Sequence, residues 1–178
     1  MADKYLELDG TTGRPKQKEA TTTGGAGQAG KIPALGADGL IPPSMLGSVG
    51  VPSVSANAYE NLTAGNYVNL FYTGGAINAR KANATDTTLP AHGYILTGVS
   101  TGATVDVYAD GFNSQVPQGS FTTADIGKRV FLSTTAGAVT LTPPTTTTGR
   151  LVQCVGTIFG VAGSLVTVDT EISDGIVA

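Results

Sequence analysis

Short alternating segments, glycine turns at regular intervals and scarce helix signals predict an all-β protein. The expected form is a small β-barrel or sandwich of about eight strands, carrying a long extended N-terminal arm. The division is expected near residue 55, with the arm over 1–55 and the β domain over 56–178.

The strands follow in order. Residues 66–73 alternate, with Tyr67, Asn69, Phe71 and Thr73 on one face and Val68, Leu70 and Tyr72 on the other. Gly74-Gly75 is a hairpin signal leading into 76–82. Further strands are expected at 94–99 and 104–109, joined through 100–103. In the second of these, Val105, Val107 and Ala109 face one way and Asp106, Tyr108 and Asp110 the other. Segments 129–133 and 138–142 flank a turn at Ala136-Gly137, and 151–159 and 165–170 flank another at 160–164. Residues 122–127 read as a single helical turn with a Thr cap and a Gly stop, and 56–62 as a second short turn. The Thr run 145–148 behind Pro143-Pro144 is expected in an exposed loop.

The arm has a different texture. Residues 1–20 hold eight of the chain's 23 charged residues, and 21–30 are small and Gly-rich, without a side chain large enough to anchor a core. Then Ile32, Leu35, Leu40, Ile41, Met45 and Leu46 are spaced by turn formers, among them Asp38-Gly39 and Pro42-Pro43. A plain linker needs no such residues, so these six are the expected partner-binding positions. Fifty residues span roughly 40 Å as a flexible coil and more than about 150 Å when extended, enough to reach a neighbouring subunit.

Composition narrows the function classes. Charged residues make up 13% of the chain, against about 25% in an average domain. Thr, Ser, Asn and Gly replace them, a surface that loses little desolvation energy when another protein covers it. Ten basic residues lie scattered among thirteen acidic ones, which does not suit a nucleic-acid partner. The nearest basic run, Arg14, Lys16 and Lys18, is followed at once by Glu19. No apolar run is long enough to span a membrane as a helix. The N-terminal residues lack the apolar core of a signal peptide, so folding in a cytoplasm is expected.

Chemistry-bearing residues are few. A dyad of His92 and Cys154 is formally possible, but Cys154 lies in an apolar run where a free thiol behaves as a small hydrophobe. Asp106 and Asp110 are one conceivable glycosidase pair, in a chain without Trp to line a sugar cleft. Asp169, Glu171 and Asp174 only loosely approach a calcium loop. The Gly-rich 21–30 lacks the Gly-Lys-Ser/Thr ending of a phosphate loop. No catalytic residue, metal or cofactor is expected.

Two stretches carry a resemblance. Residues 31–46 (KIPALGADGLIPPSML) resemble a connector common in tailed-phage particle proteins. Residues 125–144 (DIGKRVFLSTTAGAVTLTPP), 149–156 (GRLVQCVG), 78–82 and 93–99 resemble β segments of phage capsid decoration (cement) proteins and of some tail-fibre modules. The resemblance implies a virion structural protein on the outer capsid surface, forming a homotrimer and gripping the major capsid protein. The alternative it leaves is a tail-fibre or baseplate attachment module. It carries over no catalytic residue, so no enzyme activity is expected.

Overall fold

The computed structural model describes residues 4–21, 52–145 and 149–177. Two compact units divide at residue 50, Met1–Gly50 and Val51–Ala178.

In the first unit, β1 (Lys4–Leu8) and β2 (Pro15–Glu19) form an antiparallel hairpin. The sequence reading had no strand here. Asp9 makes the turn: its Oδ1 accepts the backbone N–H groups of Thr11 and Thr12 at 2.9 and 3.0 Å, and Gly13 takes the positive φ that closes it. Lys16 pairs with Asp9 at 3.2 Å, and Lys18 pairs with Glu7 across the strands. These bonds hold the Asp9 carboxyl below its ordinary pKa, with the Thr12 and Thr11 amides leading and Lys16 adding to them.

The second unit holds β3 (Ser53–Ala58), β4 (Tyr67–Thr73), β5 (Ala76–Lys81), β6 (Gly93–Tyr94), β7 (Thr104–Tyr108) and β8 (Asp110–Pro117). It continues with β9 (Arg129–Leu132), β10 (Val139–Thr140), β11 (Leu151–Val152), β12 (Cys154–Ala162), β13 (Leu165–Glu171) and β14 (Ile176–Val177). Five strands close a barrel in the order β3-β5-β4-β6-β7, where β3 and β5 run parallel and the other neighbours antiparallel. A second, antiparallel sheet runs β10-β9-β12-β13-β8, and β11 pairs with β14. The all-β expectation holds, and both of its alternatives are partly present: a closed barrel, packed on a separate sheet.

Each of the eight expected segments contains a strand. Three differ in extent. Residues 94–99 contribute only Tyr94, the second residue of β6, and an isolated bridge from Val99 to Leu62. Residues 138–142 keep two strand residues, and 151–159 is interrupted at Gln153. The expected helical turn at 56–62 is instead the end of β3, which begins at Ser53 and so crosses the boundary expected at 55. Small side chains explain it, because Ala56 and Ala58 are the size that the narrow barrel interior admits. The turn at 122–127 is present as a 3-10 turn, Thr123–Asp125.

Two cores result. The barrel interior is filled by Ala56, Ala58, Leu62, Val68, Ala79, Ile95, Val105 and Val107. Val105 and Val107 point inward as expected, whereas Ala109 is exposed. The second core lies between barrel and sheet, where Tyr67, Tyr94, Ala82 and Ala91 meet Val130, Leu132, Val155, Ile158, Val166 and Val168. Strand β4 serves both, since alternation sends Val68 into the barrel and Tyr67 toward the sheet. Burying each large aliphatic side chain contributes about 1.5–3 kcal/mol before entropy is counted.

Candidate interaction surfaces

The buried polar groups join barrel to sheet. Tyr67 and Thr170 share a hydroxyl–hydroxyl hydrogen bond of 2.9 Å, with both residues fully buried. Asn113 of β8 donates to Gly65 O at 3.1 Å. The Gln153 side chain accepts from Ala91 N–H at 2.8 Å and donates to Ala91 O and Ser173 O, each at 3.0 Å. It therefore acts as a one-residue strand partner at the point where the chain passes from the β11–β14 pair to β12 in the main sheet. Burial pushes the Tyr67 phenol well above its ordinary value, against the opposing Thr170 and Asn113 hydrogen bonds. Burial, with the nearby Asp110 charge, pushes Tyr94 up to about 12.

The chemistry-bearing residues are dispersed. His92 is exposed, and its Nδ1 accepts the Leu70 backbone N–H at 3.0 Å, capping the edge of β4. Cys154 is half-buried rather than packed in the core, with its thiol 3.7 Å from Gly156 O. The two line different depressions. Asp106 accepts from Ser55 Oγ at 3.1 Å, and Asp110 accepts from Gly111 N–H at 2.7 Å. Among the described residues no three His, Cys, Asp or Glu side chains are grouped to hold a metal ion. No helix is long and apolar enough to cross a membrane among those residues. The six expected arm contacts, Ile32, Leu35, Leu40, Ile41, Met45 and Leu46, lie outside the described residues.

Sequence reasoning missed the outward aromatic positions. On the sheet, Phe112 and Phe159 stand 50% and 63% exposed with ring centroids 4.8 Å apart. Phe159 is the extra residue of a bulge between the Ile158 and Gly160 pairings, and the bulge turns it out of the core. No periodicity signal marks such a residue. Its surroundings are acidic: Asp169 is the register partner of Phe112, and Glu171 that of Asp110.

The second aromatic position is the β4–β5 hairpin. Beyond Leu70, β4 pairs only with β5, because β6 reaches only Tyr67 and Val68. Before Asn78, β5 pairs only with β4, because β3 reaches only Asn78 and Ala79. The tip therefore stands clear of the barrel wall. Tyr72 and Ile77 are register partners, 73% and 42% exposed. Their parity is that of Val68, Leu70 and Ala79, so they continue the apolar lining of the barrel past its mouth. On the opposite face, Phe71 packs edge-on against Tyr59 at 5.2 Å. The Arg80 guanidinium sits 4.4 Å over the Phe71 ring, and its Nε donates to Asn69 Oδ1 at 3.0 Å.

A third feature is a groove of about 420 Å³ lined by Gly65, Val116, Pro117, Phe121, Val139 and Leu141, among others.

No family model matches the chain, and no curated protein matches it. Among solved structures it is similar to the head fiber N base of bacteriophage phi29. The identity is 18%, covering 67% of this chain and 93% of that one, with a TM-score of 0.46.

Proposed function

We propose that this chain is a non-enzymatic structural protein of a phage particle, decorating the outer capsid surface and bridging neighbouring capsid subunits. The geometric observation behind the reading is the placement of the aromatic residues. Tyr59, Tyr72, Phe112 and Phe159 stand exposed on a body whose buried polar groups are engaged in bolting barrel to sheet. Exposed aromatics on a rigid, charge-poor β body suit a protein that works by being covered. The class of surface is suggested by resemblance: 31–46 is similar to a connector of tailed-phage particle proteins, and 125–144 with 149–156 to β segments of decoration proteins and some tail-fibre modules.

In this reading the β domain is the body and the arm is the grip. Ile32, Leu35, Leu40, Ile41, Met45 and Leu46 fill pockets on adjacent copies of the major capsid protein, and several weak contacts made at once become firm by multivalency. No nucleic acid, membrane or cofactor takes part.

Deleting residues 1–50 and measuring occupancy on expanded capsids tests the grip. Lost occupancy is expected, and unchanged occupancy overturns it. Counting copies per particle separates the alternative. A number matching the capsid lattice supports decoration, and one matching the tail's symmetry supports a fibre or baseplate module.

A further inference from the structure

We propose that the mouth of the barrel, built from Val54, Tyr72 and Ile77 with the β4–β5 hairpin tip, is the surface through which copies of this chain associate with one another. The proposal gives a surface to the homotrimer that the resemblance implies, and it does not depend on the capsid.

The three side chains share one end of the barrel. Strands β3 and β5 run parallel, so the exposed Val54 near the start of β3 lies at the same barrel end as Ile77 near the start of β5. Val54 has Val107 as its register partner, which places it on the inward-facing side of the wall as well. Three apolar side chains thus extend the barrel lining into solvent at one end. At the other end, the Leu62–Val99 bridge and buried Ile95 close the interior.

The tip is also stiff. Gly74 and Gly75 both take positive φ, the requirement of a two-residue hairpin turn. The Asn78 amide donates to Thr73 O at 3.1 Å and to Ala76 O at 2.9 Å, clasping the two strands together. A tip held this way loses little entropy when something covers it.

The absence of charge favours a second copy as the occupant. Residues 71–79 contain no charged side chain, and neither do Ser53, Val54 and Ser55. The nearest charges are already engaged, Arg80 by Phe71 and Asn69, Asp106 by Ser55. In a symmetric contact each residue meets its own kind near the axis, so a charged patch repels itself and a neutral one does not. The Phe112–Phe159 surface fails this criterion, because Asp110, Asp169 and Glu171 surround it. The strand edges agree. Natural edges are guarded by Lys, Pro or bulges, and 71–77 has none of these, as expected of an edge that a second copy covers.

The test uses the full chain without capsids. Sedimentation velocity across a concentration series is expected to show an oligomer for the natural sequence. A Tyr72→Ser/Ile77→Thr double variant is expected to associate at least about tenfold more weakly, with an unchanged circular-dichroism spectrum and, at dilutions where both proteins are monomeric, an unchanged melting point, since both side chains are exposed in the single chain. A Thr73→Cys variant in a Cys154→Ser background is expected to form an interchain disulfide under mild oxidation. A monomeric natural chain at high concentration overturns the proposal, as does a double variant that keeps its mass. Loss of capsid binding by a chain that is monomeric throughout overturns it too, and assigns the patch to the capsid. Conversely, an oligomer that dissociates as expected but binds no capsid leaves the interface standing and removes the decoration reading.

Discussion

The hydroxyl of Tyr67, on a barrel strand, and that of Thr170, on the sheet, lie 2.9 Å apart with no solvent access. The bond ties two β systems formed from segments 103 residues apart. Tyr67→Phe keeps the ring and removes the bond. It is expected to cost about 1 kcal/mol, rising toward about 3 if the Thr170 hydroxyl finds no other partner. Urea denaturation reads this as a lower midpoint with an unchanged m-value.

Gln153 makes a stronger case. Its amide satisfies both backbone groups of Ala91 and the carbonyl of Ser173. Gln153→Leu fills the space but leaves those groups unpaired, and a loss on the order of 3 kcal/mol is expected. Hydrogen exchange should accelerate first at Ala91, where the protecting acceptor has gone.

Gly65 permits the close approach of barrel and β8. It has φ +87°, and a Cβ there would lie 2.0 Å from Gln115 O. Gly65→Ala therefore meets backbone that has nowhere to move, and about 3 kcal/mol or more of stability is expected to be lost. Thermal unfolding followed by near-ultraviolet circular dichroism tests it. A melting point within a degree or two of the natural protein would show that the approach is not rigid.

The tyrosines set the alkaline limit. Tyr67 and Tyr94 are raised above the ordinary 10.0, Tyr94 to about 12. A phenol with a raised folded value binds its proton more tightly when folded. Its contribution is thus complete below pH 10 and is lost as pH rises through the folded value. Tyrosinate absorbance should show Tyr67 and Tyr94 ionising together with the unfolding transition.

Asp125 works in the opposite direction. Lys128 at 2.8 Å, then the Thr122 backbone N–H and hydroxyl, depress its carboxyl from 3.8 to about 2. That stabilisation is present above pH 4 and fades as pH falls toward 2. Asp125→Asn is expected to flatten the acid limb of the stability profile between those limits.

The sequence by itself determined the class, most strand positions and the turns. Alternation such as that of 66–73, and glycine pairs such as Gly74-Gly75, are local signals that follow from backbone geometry alone. It also determined the single helical turn near Asp125, because the carboxylate and the amide it caps are three residues apart. Tertiary structure decided the rest. Residues 56–62 read as a short helical turn because Ala56 and Ala58 are small, and only a narrow barrel makes them the right size for the interior of β3. Strand β8 opens with Asp-Gly and ends with Pro, so no strand is expected there from the sequence; it forms because β13 pairs along its length. Gln153 reads as part of one strand over 151–159, and only the pairing with Ala91, 62 residues away, shows its side chain at a break between two strands. The exposure of Tyr72 and Phe159 depends on where neighbouring strands stop and where a bulge falls. These are properties of pairing across the chain, which no window of adjacent residues contains.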